Sequence, residues 1–280
     1  QSAVFDFTNP DARSYFINEL RNMQQSYGID GFKFDGGDNQ FYDRKDLVSY
    51  GNKHLNSVEH TRAWAEIGLQ FPFNEYRAGW QMGGKELVQR LGDKDYSWQA
   101  VNLLAPDMIA AGLLGYAYSC PDMIGGGSFG TFLGIDSKSF DQELIVRSAQ
   151  VHALMPMMQF SVAPWRILDN EHLQIVCNMA KLHASFGHYI LQCARQSAIT
   201  GEPIVQSLEY AYPNRGYAEI NNQWMLGGEY MVAPMVGKGR SRTVVLPPGK
   251  WKDDQGRVLK GARTITIDVP LNRLPYYKKM

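Results

Sequence analysis

The chain has 280 residues, 44% of them hydrophobic and 12% aromatic, which is enough to bury a core in one large domain or two ordinary ones and excludes a disordered chain. Its 28 Lys and Arg balance 28 Asp and Glu, so it has neither a basic footprint for nucleic acid nor an acidic tail. No apolar run is long enough to cross a bilayer, and no membrane partner is expected.

Strands and helices alternate over the first two thirds. Ala3 to Phe7 reads as a short strand closed by Thr8-Asn9-Pro10, with Thr8 or Asn9 capping the next helix and Pro10 in its first position. That helix is expected from about Asp11 to Tyr27, ended by Gly28. Gly31 to Phe34 is a brief apolar strand that stops at Asp35 and two glycines. Further strands are expected at Leu69 to Asn74, Leu87 to Leu91, Tyr116 to Ser119 and Met157 to Phe160. Helices are expected at Ala100 to Ala111, Gln142 to Leu154 and, as one long helix, Leu173 to Gln196. Such alternation argues for a parallel α/β sheet with crossover helices. An eight-stranded (β/α)8 TIM barrel with about six of its strands present fits the pattern. An open doubly wound sheet fits less well, because no strand leads into a Gly-rich phosphate turn.

Past Asn214 the texture changes to short β-prone runs, such as Tyr230 to Ala233, Thr243 to Leu246 and Thr264 to Val269. Gly- and Pro-rich turns separate them, which reads as a small antiparallel β-sandwich. The expected division is therefore residues 1–213 for the barrel portion and 214–280 for the β-domain.

The three cysteines, Cys120, Cys177 and Cys193, fit no metal or redox spacing and read as buried free thiols, so the compartment stays open. His54, His60, His152, His172, His183 and His188 show no ligand spacing beside carboxylates, so neither metal nor cofactor is expected. No signal peptide is visible, and the chain begins with Gln rather than Met.

In a barrel, active groups gather at the carboxyl ends of the strands. Asp35, Asp93 and Asp122 fall at such places, each beside glycines that permit close approach of a ligand. A lone aspartate there is more often a cap or structural acceptor. Three at successive strand ends favour a site, and two carboxylates across a cleft can cleave a glycosidic bond. Lys33, two residues before Asp35, points to the same side of its strand. It either favours the carboxylate's ionised form and donates to a sugar hydroxyl, or forms an ordinary buried ion pair. Trp165 reads equally as a platform for a sugar ring or as core.

Specific motifs carry the argument further. Phe5-Asp6-Phe7-Thr8-Asn9-Pro10 followed by Asp30-Gly31-Phe32-Lys33-Phe34-Asp35, then Arg90-Leu91-Gly92-Asp93 with Trp98 downstream, then Pro121-Asp122-Met123-Ile124-Gly125-Gly126, occur in an order and spacing that resembles glycoside hydrolase family 31. So do Pro203-Ile204, Met231-Val232-Ala233-Pro234 and Leu246-Pro247-Pro248-Gly249-Lys250-Trp251. The resemblance covers nearly the whole chain, entering at about the third barrel strand. It implies a retaining α-glycoside hydrolase acting by double displacement, with Asp35 the nucleophile and Asp93 the acid/base. It also implies Arg90 as a partner for substrate or nucleophile, Asp122 as a ligand for sugar hydroxyls, and Asp38 in the place of a usual Glu. Lys33-Phe34-Asp35 and Gln159-Phe160-Ser161, where many α-glucosidases carry Arg-Asn-His, resemble the α-galactosidase-like branch, so an α-galactoside is the expected substrate. An α-glucosidase or α-xylosidase of the same family, or an inactive carbohydrate-binding fragment, are the alternatives. Missing first strands would leave an open side, covered by a second copy or by an N-terminal portion, and the chain alone would then be poorly active.

Overall fold

The computed structural model describes residues 4–43, 50–52, 56–128 and 140–280. The chain forms two compact units, Gln1–Gly92 and Asp93–Met280. In the first, helix α1 (Pro10–Tyr27) starts where the Asn9 side chain accepts from Asp11 N, with Pro10 in its first turn, and stops at Gly28 in the left-handed region (φ 65°). Strand β1 (Phe32–Phe34) follows, then α2 (Ser57–Gly68), opened by an Asn56/Glu59 capping box. Strands β2 (Asn74–Tyr76) and β3 (Gln89–Arg90) complete the unit.

These three strands pair in parallel, with Lys33 opposite Glu75, Phe34 opposite Tyr76 and Tyr76 opposite Gln89. The register sorts the side chains by face. Phe34 and Tyr76 share one face, are both buried and stack with ring centroids 4.7 Å apart. Trp64 and Phe71 pack around them. Lys33, Glu75 and Arg90 share the other face, which therefore carries charge.

In the second unit α3 (Trp98–Leu113) is capped by Ser97. Strand β4 (Ser119–Cys120) leads into a parallel bridge between Ile124 and Phe160. Helices α4 (Gln142–Ala153), α5 (Asn170–Ser185) and α6 (Gly187–Thr200) follow. An antiparallel region then begins with β5 (Val205–Gln206), α7 (Leu208–Ala211), β6 (Trp224–Leu226), β7 (Tyr230–Val232), β8 (Ser241–Leu246), β9 (Lys250–Asp253), β10 (Val258–Lys260), β11 (Arg263–Asp268) and β12 (Tyr276–Lys279). Six strands form one sheet in the order β10-β9-β12-β7-β6-β5, and β8 pairs with β11 in a second. Trp251, Tyr277, Met225, Met231, Val244 and Leu246 fill the core, and the Trp251 indole donates to Pro247 O at 2.8 Å.

The parallel strand–helix pattern and the antiparallel region both appear as expected; several details differ. Val4 to Asp6 form no strand, and Ala3 and His54 lie outside the described residues. Asp6 draws the chain into a turn, accepting from Thr8 N through its side chain and from Asn9 N through its carbonyl. The strand expected at Leu69 to Asn74 begins only at Asn74, because Gln70 and Phe71 donate back to Ile67 and Gly68 as a turn and Pro72 has no N–H to offer. The strand expected over Tyr116 to Ser119 is Ser119–Cys120, and that over Met157 to Phe160 is a single bridge. The long helix breaks at Phe186, whose ring is held edge-on by Tyr189, Tyr230 and Tyr276. Of the three free cysteines only Cys120 is buried; Cys177 lies on the exposed side of α5 and Cys193 is partly covered. Among the described residues no helix is long and apolar enough to cross a membrane.

Candidate active site

Asp35 stands at the carboxyl end of β1 with 63% of its side chain exposed. Two glycines in the left-handed region, Gly36 (φ 78°) and Gly37 (φ 76°), turn the chain away behind it. Gly37 is irreplaceable on a second count: a Cβ there would lie 2.0 Å from the Trp64 ring. Thr61 Oγ1 donates to Gly37 O at 2.7 Å and fixes the turn to α2. Arg77, just past β2, grips this strand end. Its Nη2 donates to Asp38 at 2.6 Å and its Nη1 lies 3.5 Å from Asp35 Oδ1. One residue pair back along the strands, Glu75 lies between two cations, with Lys33 Nζ and Arg90 Nε each 3.9 Å from its Oε1. The first unit thus presents three acidic and three basic side chains on one sheet face and its upper rim.

In the second unit Asp93 and Asp122 converge on Gly127. A Cβ on Gly127 would sit 2.7 Å from an oxygen of each carboxylate, so only glycine fits. Asp122 is fully buried, and its Oδ2 accepts from Lys94 N at 2.8 Å and Gly127 N at 3.0 Å. It therefore clamps the loop that carries Asp93 to the glycine loop at 125–128. Ser128 N donates to Lys94 O, strengthening the same junction. Lys94 Nζ reaches Asp107 at 3.1 Å and Pro121 O at 3.2 Å. Behind Asp122, the buried His152 ring lies 3.1 Å from Asp122 O and 2.8 Å from Ser148 O. Burial holds its pKa down at about 4.

Of the residues singled out from sequence, Lys33, Asp35, Asp38 and Arg90 come together in the first unit, and Asp93 and Asp122 in the second. Trp98 opens α3 and donates its indole N–H to Asp141, the N-cap of α4, at 3.1 Å. Asp141 also accepts from Lys238 at 2.9 Å; although partial burial works against it, these bonds hold its pKa below the usual carboxylate range. Trp165, on a turn at Pro164–Arg166, is 72% exposed and so available for stacking. Glu75 and Arg77 were missed. The strand was expected to end at Asn74, which left both in a loop; the signal was the spacing of two charges on either side of Tyr76. Among the described residues no His, Cys, Asp or Glu cluster is arranged to hold a metal.

Comparison with known proteins sets these residues in context. The TIM-barrel domain of glycosyl hydrolases family 31 matches residues 1–192, and the C-terminal domain of the same family matches residues 201–280. A mouse protein named myogenesis-regulating glycosidase is 34% identical over 96% of this chain, which spans 38% of that protein. The 1,3-alpha-isomaltosidase of Kribbella flavida is 28% identical over 99% of the chain, covering 40% of the relative. A solved Flavobacterium johnsoniae dextranase complexed with isomaltotriose superposes with a TM-score of 0.84 at 24% identity, over 98% of this chain and 37% of its own. The chain thus spans about two fifths of these proteins.

Proposed function

The chain belongs to glycosyl hydrolase family 31, and from that premise we propose that it carries the catalytic carboxylates of a retaining α-glycosidase. Asp35 is the nucleophile. Its carboxylate bonds to the anomeric carbon as the glycosidic C–O bond breaks, and Asp93 gives its proton to the leaving oxygen. The Asp93 carboxylate then takes a proton from water, whose oxygen displaces Asp35 and restores the original configuration. The observation that carries the assignment is Asp35 itself: an exposed carboxylate at a strand's carboxyl end, gripped by Arg77 and followed by two glycines that clear space beside it. Lys33 and Arg90 serve the substrate side of that face, Asp38 anchors Arg77, Asp122 sets the Asp93 loop, Trp98 plays a supporting part by tying α3 to Asp141, and Trp165 offers an exposed ring to a distal sugar.

For the sugar, an α-glucoside is the first reading. Relatives and structural neighbours are named for isomaltose, isomaltotriose and other α-glucans, and none of those names supports the α-galactoside expected from sequence. The α-galactoside is retained as a second reading on one observation: Ser161, where an Arg-Asn-His run would place a histidine, turns its hydroxyl to Ile124 O at 2.8 Å. A panel of 4-nitrophenyl α-glucoside, α-galactoside and α-xyloside with the full-length protein tests both. Turnover of the glucoside at least tenfold above the others supports the first reading, a galactoside preference replaces it, and no turnover of any α-glycoside ends the glycosidase assignment.

A further inference from the structure

A group that transfers a proton must be held in place to within a fraction of an ångström by what surrounds it. Asp93 is exposed, so the loop that carries it does much to set where its carboxylate stands. That loop, residues 93–98, is fastened at both ends within the second unit. At its start, Asp122 accepts from Lys94 N at 2.8 Å. At its other end stands Asp141, the N-cap of α4. The Tyr96 hydroxyl donates to Asp141 O, and the Tyr96 ring stacks on Phe140 with centroids 4.8 Å apart and planes 7° from parallel. The Trp98 indole donates to Asp141 Oδ2 at 3.1 Å, and Lys238 Nζ, from the turn before β8, lies 2.9 Å from the same oxygen. The other carboxylate oxygen accepts from Leu144 N at 3.4 Å.

We propose that Asp141 is a positioning residue for the acid/base: by holding Tyr96 and Trp98 it fixes the loop from which the Asp93 carboxylate projects. This rests on the glycosidase reading above. Two features support it. First, capping α4 needs only one carboxylate oxygen and no charge, since Asn or Ser caps a helix as well as Asp does. The second oxygen and the charge are spent on Trp98 and Lys238. Second, the contacts converge on the loop from both backbone and side chain: Asp141 O takes the Tyr96 hydroxyl and Asp141 Oδ2 the Trp98 indole, two residues apart. Lys238 in turn ties the same carboxylate to the β-region, so the start of α4, the turn before β8 and the acid/base loop meet at one side chain. Asp141 touches no reacting atom in this scheme; it acts through Asp93.

The test uses the full-length protein and compares the methyl and 4-nitrophenyl α-glycosides of the preferred sugar. Only the methyl glycoside needs its leaving oxygen protonated in the first step, which is the step kcat/KM reports. Asp141→Asn still caps α4, but its single oxygen cannot serve Leu144 N and Trp98 together. It should lose about 10- to 100-fold in kcat/KM on the methyl glycoside, the size that a misplaced group costs, and less than about threefold on the nitrophenyl glycoside. Trp98→Phe, which keeps a ring and removes the N–H, should show the same split. Combining the two changes should cost little more than the larger single loss, because both break one bond. Equal losses on the two glycosides, or no loss in variants that melt as the wild type does, would reduce Asp141 to a helix cap and overturn the proposal. If Asp93→Ala itself shows no such split, the acid/base reading falls and this proposal with it. If the wild type turns over no α-glycoside at all, it is the glycosidase reading that falls first.

Discussion

Arg90 and Arg147 are both almost wholly buried, and they stand in different settings. Arg147, on α4, is surrounded by oxygen acceptors. It donates to Gln150 Oε1 at 3.0 Å and to the carbonyls of Gly239 and Val269 at 3.1 Å, with Glu143 3.6 Å away. It thereby fastens α4 to the turn before β8 and the chain leaving β11, aided by Gln150, which donates to Leu271 O at 2.6 Å. Arg90, on the sheet face that carries Lys33 and Glu75, has its Nε 3.9 Å from Glu75 and donates through Nη1 to Leu91 O at 3.3 Å. One cation stabilises the seam between a helix and the β-region; the other shares its sheet face with the carboxylates of the candidate site. Burial alone does not distinguish structure from chemistry, so each group is read with its neighbours.

The comparison can be broken most sharply at the charged face. Asp35→Ala in the full-length protein should lower kcat by at least about 10⁴-fold, as loss of a covalent nucleophile does, while leaving the melting temperature within a few degrees because the carboxylate is exposed. Azide should restore part of the turnover by forming a β-glycosyl azide. Near-normal hydrolysis by this variant would remove Asp35 from the mechanism.

Asp93→Ala should cost about 10²- to 10⁴-fold on substrates with poor leaving groups, and far less on nitrophenyl glycosides, whose first step needs no proton. An equal loss on both kinds of aglycone would assign Asp93 a different role.

Arg147→Met is the converse. It leaves no charge but strips the carbonyls of Gly239 and Val269 of their donor, and breaking a buried charged network costs about 3–5 kcal/mol. Thermal melts should show that loss, while kcat of the folded fraction stays unchanged. A fall in kcat with no loss of stability would erase the distinction between the two arginines.

How much of this was legible in the sequence follows from where its signals were local. The β7, β8 and β11 strands could be placed to within a residue or two, because turn residues bound each of them. Helix α1 was legible through Asn9, Pro10 and Gly28, all of which act within one turn. The short parallel strands were harder. β2 has three residues and β3 two, so periodicity has almost nothing to repeat, and pairing with neighbours fixes their limits. That is why Glu75 and Arg77 escaped notice while Asp35, flagged by its glycines, did not. The break at Phe186 was invisible for a related reason: Tyr230 and Tyr276, which hold its ring, lie 44 or more residues further along the chain. The role of Asp122 as a clamp likewise depends on Lys94 and Gly127, brought to it by folding.

The smallest effect expected concerns pH and links the clamp to stability. His152 is fully buried between the carbonyls of Ser148 and Asp122, and burial, helped by the nearby charges of Lys94 and His183, holds its pKa at about 4 against an ordinary 6.5. The carbonyls favour the charged ring, but burial outweighs them. Because the folded pKa is depressed, the unfolded chain takes up a proton first as pH falls below about 6.5. Stability due to the neutral ring is therefore intact above that pH and is lost progressively down to about pH 4, by about 3 kcal/mol in all. His152→Gln cannot titrate. Whatever its deficit relative to wild type at pH 7, denaturant melts should show that deficit shrinking by about that amount at pH 4. His183, also depressed by burial, is common to both proteins and cancels in the difference. A deficit constant between pH 7 and pH 4 would mean that the ring between Ser148 and Asp122 already carries its proton in the folded protein, and that the carbonyls outweigh burial after all.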